Sequence, residues 1–199
     1  MPQAGFRERM VEAAGQRLRC REAGAGRTIL GLGSRLTRLH ELLAGSCRVV
    51  VLDLPPAAAP ASAAAALAEL GIERCSLLAH GAATRAALAF ALQHPEAVEA
   101  LVLLAPPPFD AADAGELAAH LGEIAAPVLA LAGTRDPASP PAAIRVYREA
   151  MPNGHFAFVY DAAHELDAER PEAVAALVGD FLERHERFIV NHESGILHP

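Results

Sequence analysis

A doubly wound, mostly parallel α/β sheet of about eight strands, flanked by helices, is the fold class that this 199-residue sequence predicts. Three observations predict it. Short apolar runs of strand length alternate with alanine-rich segments of helical period, the pattern of βαβ units around a parallel sheet. The chain is nearer one domain length than two. Hydrophobic residues make up 52% of it and charged residues 21%, enough to build one sizeable core. The expected organisation is a single domain over residues 1–187 with a C-terminal tail over 188–199.

The elements follow in order. Glu8–Ala14 and Arg17–Glu22 read as a hairpin turning at Ala14-Gly15-Gln16. Gly24-Ala25-Gly26 leads into a strand at Thr28–Leu32. Arg35–Leu43 sets Leu36, Leu39, Leu42 and Leu43 on one helical face and stops at Gly45, with Ser34 as its expected N-cap. Cys47–Leu54 is a buried strand closed by Pro55-Pro56. A linker through Pro60 precedes a helix capped by Ser62 and ended by Gly71. Arg74–His80 is a strand and Ala82–Gln93 a helix. Val98–Ala105 is a strand closed by three prolines, and Asp113–Ile124 a short amphipathic helix. Strands at Val128–Ala132 and His155–Tyr160 bracket a helix at Pro140–Ala150, and Pro171–His185 is the last helix. PEAVEALV at Pro95 and PEAVAALV at Pro171 are similar words in different roles, one before a strand and one starting a helix. The tail from Phe188 shows no period.

Composition excludes several functions. All seventeen basic residues are arginine, so lysine chemistry is absent: no Schiff base and no phosphate-loop lysine. A net charge of −7 argues against a nucleic-acid surface or an acidic membrane. Cys20, Cys47 and Cys75 have no metal or disulfide spacing, which fits a reducing, cytoplasmic compartment. The N-terminus carries no signal-like apolar run, and no apolar stretch reaches membrane-spanning length.

Several segments in series resemble the α/β-hydrolase fold. Leu77–Pro108 (LLAHGAATRAALAFALQHPEAVEALVLLAPPP) is similar to the nucleophile-elbow strand, the helix after it and the next strand. The opening MVEAAGQRLRCREAGAG and the strand CRVVVLDLPP are similar to the start of that family. PVLALAGTRDP resembles the strand that delivers its catalytic acid, and DAAHELDAERPEAVAALVGDFL the segment that delivers its histidine. The resemblance covers nearly the whole chain in the right order.

Carried over residue by residue, it implies a histidine at His164, an acid at Asp136 and a nucleophile position at Gly81. The family's G-x-S-x-G falls on Ala79-His80-Gly81-Ala82-Ala83. Glycine accepts the strained elbow backbone and offers no hydroxyl, so the turn persists while the reacting atom is gone. The oxyanion loop corresponds to Leu30–Ser34 and lacks the family's histidine; Leu32 and Ala82 are the candidate backbone donors, with Ser34 the nearby hydroxyl. The cap that many members insert after the sixth strand is absent by length, which leaves Leu32, Pro107 and Phe109 expected at an open face. That face is expected to meet a second copy, a protein partner or a small ligand.

Other residues of the chain invite a role near the vacant position. Cys75 and Ser76 lie about 15–20 Å down the strand, at about 3.3 Å per residue. Thr84 fits a hydrogen-bonding residue at the helix start. His80 reads as structural support beneath the site, and Asp110 as a solvated loop acid. His185, His192 and His198, spaced by seven and six, do not share a helical face, so no metal or cofactor is implied. Two functions follow: a non-catalytic binding, scaffolding or regulatory protein, or an enzyme using His164–Asp136 as general base on water or a substrate proton.

Overall fold

The computed structural model describes residues 5–33, 35–54, 59–109, 117–151, 153–185 and 196–197. The sheet is built from β1 (Arg7–Ala13), β2 (Gln16–Ala23), β3 (Thr28–Leu32), β4 (Arg48–Leu52), β5 (Cys75–His80), β6 (Val98–Leu104), β7 (Val128–Gly133), β8 (Gly154–Val159) and the two-residue β9 (Ile196–Leu197). The spatial order is β1-β2-β4-β3-β5-β6-β7-β8-β9. Only the β1–β2 and β2–β4 pairs are antiparallel. The hairpin turns at Ala14 and Gly15, both at positive φ, which matches the right-handed twist of its strands.

The helices are α1 (Arg38–Leu43), α2 (Ala59–Glu69), α3 (Ala83–Gln93), α4 (Leu117–His120), α5 (Pro141–Ala150), α6 (Leu166–Glu169) and α7 (Pro171–Arg184). They divide between the faces of the sheet. One buried cluster joins Ala63 and Leu67 of α2, Phe90 of α3 and Tyr147 of α5 to the sheet. The other joins Leu39 of α1, Leu166 of α6 and Val174, Val178 and Phe181 of α7. The central strands β5, β6 and β7 read as continuous apolar runs because both their faces are covered.

Several expectations are corrected. Helix α1 begins at Arg38, and its N-cap is Thr37; Ser34 lies outside the described residues. His40 supplies the reciprocal bond, its Nδ1 accepting from the Thr37 N–H at 3.2 Å. Helix α2 begins at Ala59, so Ser62 is a buried residue within it. Pro60 sits in the first turn, where its missing N–H has no intrahelical acceptor to lose. The tail contributes a strand: Ile196 and Leu197 pair in parallel with Phe158 and Val159 at the sheet edge. Residues 55–58, Asp110, residues 111–116, His192 and His198 lie outside the described residues.

The connection from β6 to β7 carries α4 and one 3-10 turn among its described residues, and no cap domain is evident. The residues expected to lie bare beneath a missing cap are not exposed. Leu32 is buried, and Pro107 and Phe109 are half-buried. Tyr147 of α5 covers them, donating its hydroxyl to the Pro107 carbonyl at 2.7 Å and packing its ring 4.8 Å from that of Phe109. Among the described residues, no helix is long and apolar enough to cross a membrane.

Candidate functional site: an elbow without a side chain

The strand-to-helix turn between β5 and α3 is centred on Gly81, which holds φ +55. Two bonds fix it. Its N–H donates to the Leu104 carbonyl of β6 at 2.8 Å, and its carbonyl accepts the Thr84 hydroxyl at 2.7 Å. Thr84 is fully buried and its hydroxyl is used to start α3, so it serves the turn and does not replace the nucleophile. Cys75 and Ser76 sit in the core at the far end of β5; burial pushes the Cys75 thiol up to about 12.

Above the turn stands His164, on the loop between β8 and α6. A Cβ placed on Gly81 would lie 3.3 Å from His164 Nε2. The other ring nitrogen, Nδ1, is 2.8 Å from Asp136 Oδ2. The Asp136 side chain is fully buried, and its Oδ1 accepts the Ala138 N–H at 2.8 Å. With both carboxylate oxygens engaged as acceptors, Nδ1–H is the donor to Asp136 and Nε2 faces Gly81. The three motif positions are thus brought together, with the His164 ring between Asp136 and Gly81.

Gly133 makes this meeting possible. It ends β7, and a Cβ there would stand 2.3 Å from the Ala162 carbonyl oxygen and 2.4 Å from that of Ala163. Without a side chain, the loop carrying Asp136 docks directly on the loop carrying His164. Cross-ties then lock the pair: Arg135 N–H to the Ala162 carbonyl at 2.9 Å and Asp161 N–H to the Thr134 hydroxyl at 3.0 Å, while Ala163 N–H, bonded to the Glu169 carboxylate at 3.0 Å, ties the His164 loop to α6.

His80 supports the site from beneath, as its place before the elbow suggested. Its Nε2–H donates to the His164 carbonyl at 2.9 Å, and the two rings meet edge to face with centroids 4.9 Å apart. His80, His164 and Glu165 bring metal-ligating atoms within 4.8 Å of one another. Glu165, however, is in direct contact with the guanidinium of Arg35, and His80 is bonded to the carbonyl.

The oxyanion candidates divide. Ala82 caps α3 immediately after Gly81 and is exposed, so its N–H belongs to a helix N-terminus beside the elbow. Leu32 occupies the last ladder position of β3, between Leu52 and Ala79, and the next N–H, that of Gly33, is donated to the Leu52 carbonyl at 3.1 Å. The structure therefore places Leu32 in the sheet rather than on a loop arching over Gly81. The motifs do not point to His40, Arg35 and Asp167, which line one cavity with His80 from α1, its preceding loop and α6. His40 is buried, and burial, outweighing the attraction of the Asp167 carboxylate, holds it down to about 4 and hence neutral.

No protein-family model and no curated protein matches the sequence. Solved structures do match. The 2-hydroxy-6-oxo-6-phenylhexa-2,4-dienoate hydrolase of Rhodococcus sp. strain RHA1 superposes with a TM-score of 0.80 at 12% identity, covering 89% of this chain and 99% of its own. Carboxylesterase CesB of Bacillus subtilis gives 0.77 at 16% identity, covering 91% and 92%. A predicted CIB-like hydrolase of Thermoplasma acidophilum gives 0.77 at 18%, covering 89% and 97%. At these identities the likeness establishes the architecture, and the chain has the α/β-hydrolase fold.

Proposed function

We propose that the protein is a non-catalytic binding or regulatory member of this fold, in which covalent serine catalysis has been lost at Gly81. The observation that carries this reading is the absence of any side chain at the point faced by His164 Nε2. Removing the serine of a triad costs about 10⁶ in turnover, and what persists over water comes from the oxyanion hole and binding. Here Leu32 lies within the sheet, so that residual has lost support as well. The bond between His164 and Asp136 then acts as a structural tie between two loops, alongside the cross-ties around Gly133.

A second reading rests on a specific observation of its own. The Nδ1-to-Asp136 bond of 2.8 Å leaves Nε2 as a general base, and a water standing where the hydroxyl would be could lose its proton to it. Hydrolysis of short p-nitrophenyl esters and lactones by the wild-type protein and by His164→Ala separates the two. The binding-protein reading expects both at the buffer rate. The general-base reading expects the wild type to exceed the variant by about 10²–10⁴-fold.

A further inference from the structure

The Asp167 side chain is only 4% exposed, yet its Oδ1 accepts no hydrogen bond from any described residue. The neighbouring nitrogens stand off: Arg35 Nη2 at 3.6 Å and His80 Nε2 at 3.9 Å. A buried carboxylate oxygen left without a donor is costly, and such groups in native proteins mark a partner still to be supplied. Asp167 lines a cavity of about 140 Å³ whose walls come from the ends of β3 and β5 and from α1 and α6.

His40 faces the same cavity with the opposite polarity. The Thr37 N–H donates to its Nδ1, which must therefore hold a lone pair, and the neutral ring carries its proton on Nε2. Nε2 lies 3.3 Å from the point a Gly31 Cβ would occupy, so glycine at that wall position leaves room for the imidazole. The His80 ring also lines the cavity, and Leu78, Ala79, Ala83 and Leu104 give it an aliphatic wall. Arg35, half-exposed at the rim and bound to Glu165, is the one guanidinium in the lining.

These groups define the chemistry of an occupant. An anion would meet Asp167. A cation would share that carboxylate with Arg35. A neutral group that both donates and accepts suits the pair Asp167 Oδ1 and His40 Nε2–H, and its body must be apolar. A cavity of about 150 Å³ takes a molecule the size of benzene, so this volume holds about five or six non-hydrogen atoms. We infer that this cavity is a binding site for a small neutral alcohol, its hydroxyl donating to Asp167 and accepting from His40 directly or through one water. The cavity adjoins the contact between Gly81 and His164 through Ala79, His80 and Ala83, but the inference rests on Asp167 and His40 and stands whether or not that contact is catalytic.

The test is an NMR titration of the full chain with 1-butanol up to about 50 mM, following the His40 and His80 ring Cε1–H resonances. The expected result is a saturable shift with a midpoint on the order of millimolar, as befits so small a ligand. Butyrate should bind at least about tenfold more weakly, since its charge meets that of Asp167, and butylammonium no more tightly than the alcohol, since its charge meets Arg35 as well as Asp167. Asp167→Ala should abolish saturation. Ala83→Leu should do the same by filling the cavity with Asp167 left in place, which keeps the test decisive if the first variant does not fold. A shift that grows linearly with concentration in the wild type indicates a solvent-filled cavity and overturns the assignment. Saturation unchanged in the folded variants, or tighter binding of butylammonium, overturns it equally.

Discussion

His164 Nε2 faces Gly81 across 3.3 Å, measured to the point where a side chain would begin, while Nδ1 of the same ring is tied to Asp136 at 2.8 Å. An alcohol held in that gap would complete a hydrogen-bonded chain from carboxylate to nucleophile. The gap is built into the backbone: φ at Gly81 is +55, the left-handed region in which an L side chain is strained. The turn, the start of α3 and the facing histidine are all in place, and Gly81 itself presents no side-chain atom.

Replacing Gly81 by serine restores that atom at a cost. The left-handed backbone costs a non-glycine residue about 1–2 kcal/mol, and at 3.3 Å the imidazole must yield by a few tenths of an ångström. The oxyanion donor expected from Leu32 is not arrayed over the elbow, and one missing donor costs about 10²–10³ in rate. Gly81→Ser should therefore hydrolyse p-nitrophenyl acetate only slightly above background, and the double variant with His164→Ala not at all. Steady-state kinetics of the two checks this; an efficient esterase from the single change would show an intact oxyanion hole.

Gly133 should be intolerant of even one methyl group. Its Cβ would enter backbone carbonyls at 2.3 and 2.4 Å, so the loops bearing Asp136 and His164 must part. Gly133→Ala is expected to destabilise the fold by about 3 kcal/mol, at the upper end of overpacking penalties. Urea denaturation measures it. A midpoint equal to the wild type would mean that these loops are not packed as described.

Stability should fall in mild acid because of His40. Its pKa is about 4 when folded against 6.5 for the free side chain, with burial as the main cause and Arg21 and Arg35 adding to it. Between those values the unfolded chain binds a proton that the folded chain does not. Stability is then complete above about pH 6.5 and is lost as the pH falls toward 4, by about 3 kcal/mol in all. Urea midpoints at pH 7 and pH 4.5 for the wild type and His40→Gln check the sign. The variant should show the shallower dependence, and identical slopes would contradict the assignment.

Much of this was legible in the sequence, and the remainder has identifiable physical reasons. Strands such as Thr28–Leu32 are apolar on both faces and bounded by glycine or proline, so burial and punctuation mark them. His164 and Asp136 were legible because each follows a strand end at a motif position. The cap of α1 was misplaced because Leu36 continues the apolar spacing of the helix while the chain is still extended; Thr37 wins because His40 can reach back to its N–H. Helix α6 is four residues long, too short to show a period, and β9 exists only through its pairing with β8. Asp167 and His40 are distant in sequence and carry no shared motif; only the packing of α6 and α1 on the same sheet face makes them neighbours.

Whether a nucleophile stands at this elbow is decided by incubating the protein with a fluorophosphonate and weighing it intact. Gly81 has no hydroxyl and that of Thr84 is bound to the Gly81 carbonyl, so the account predicts an unchanged mass. A stoichiometric phosphonyl adduct, mapped by peptide sequencing to Ser34, Thr84 or any other residue near His164, would contradict it.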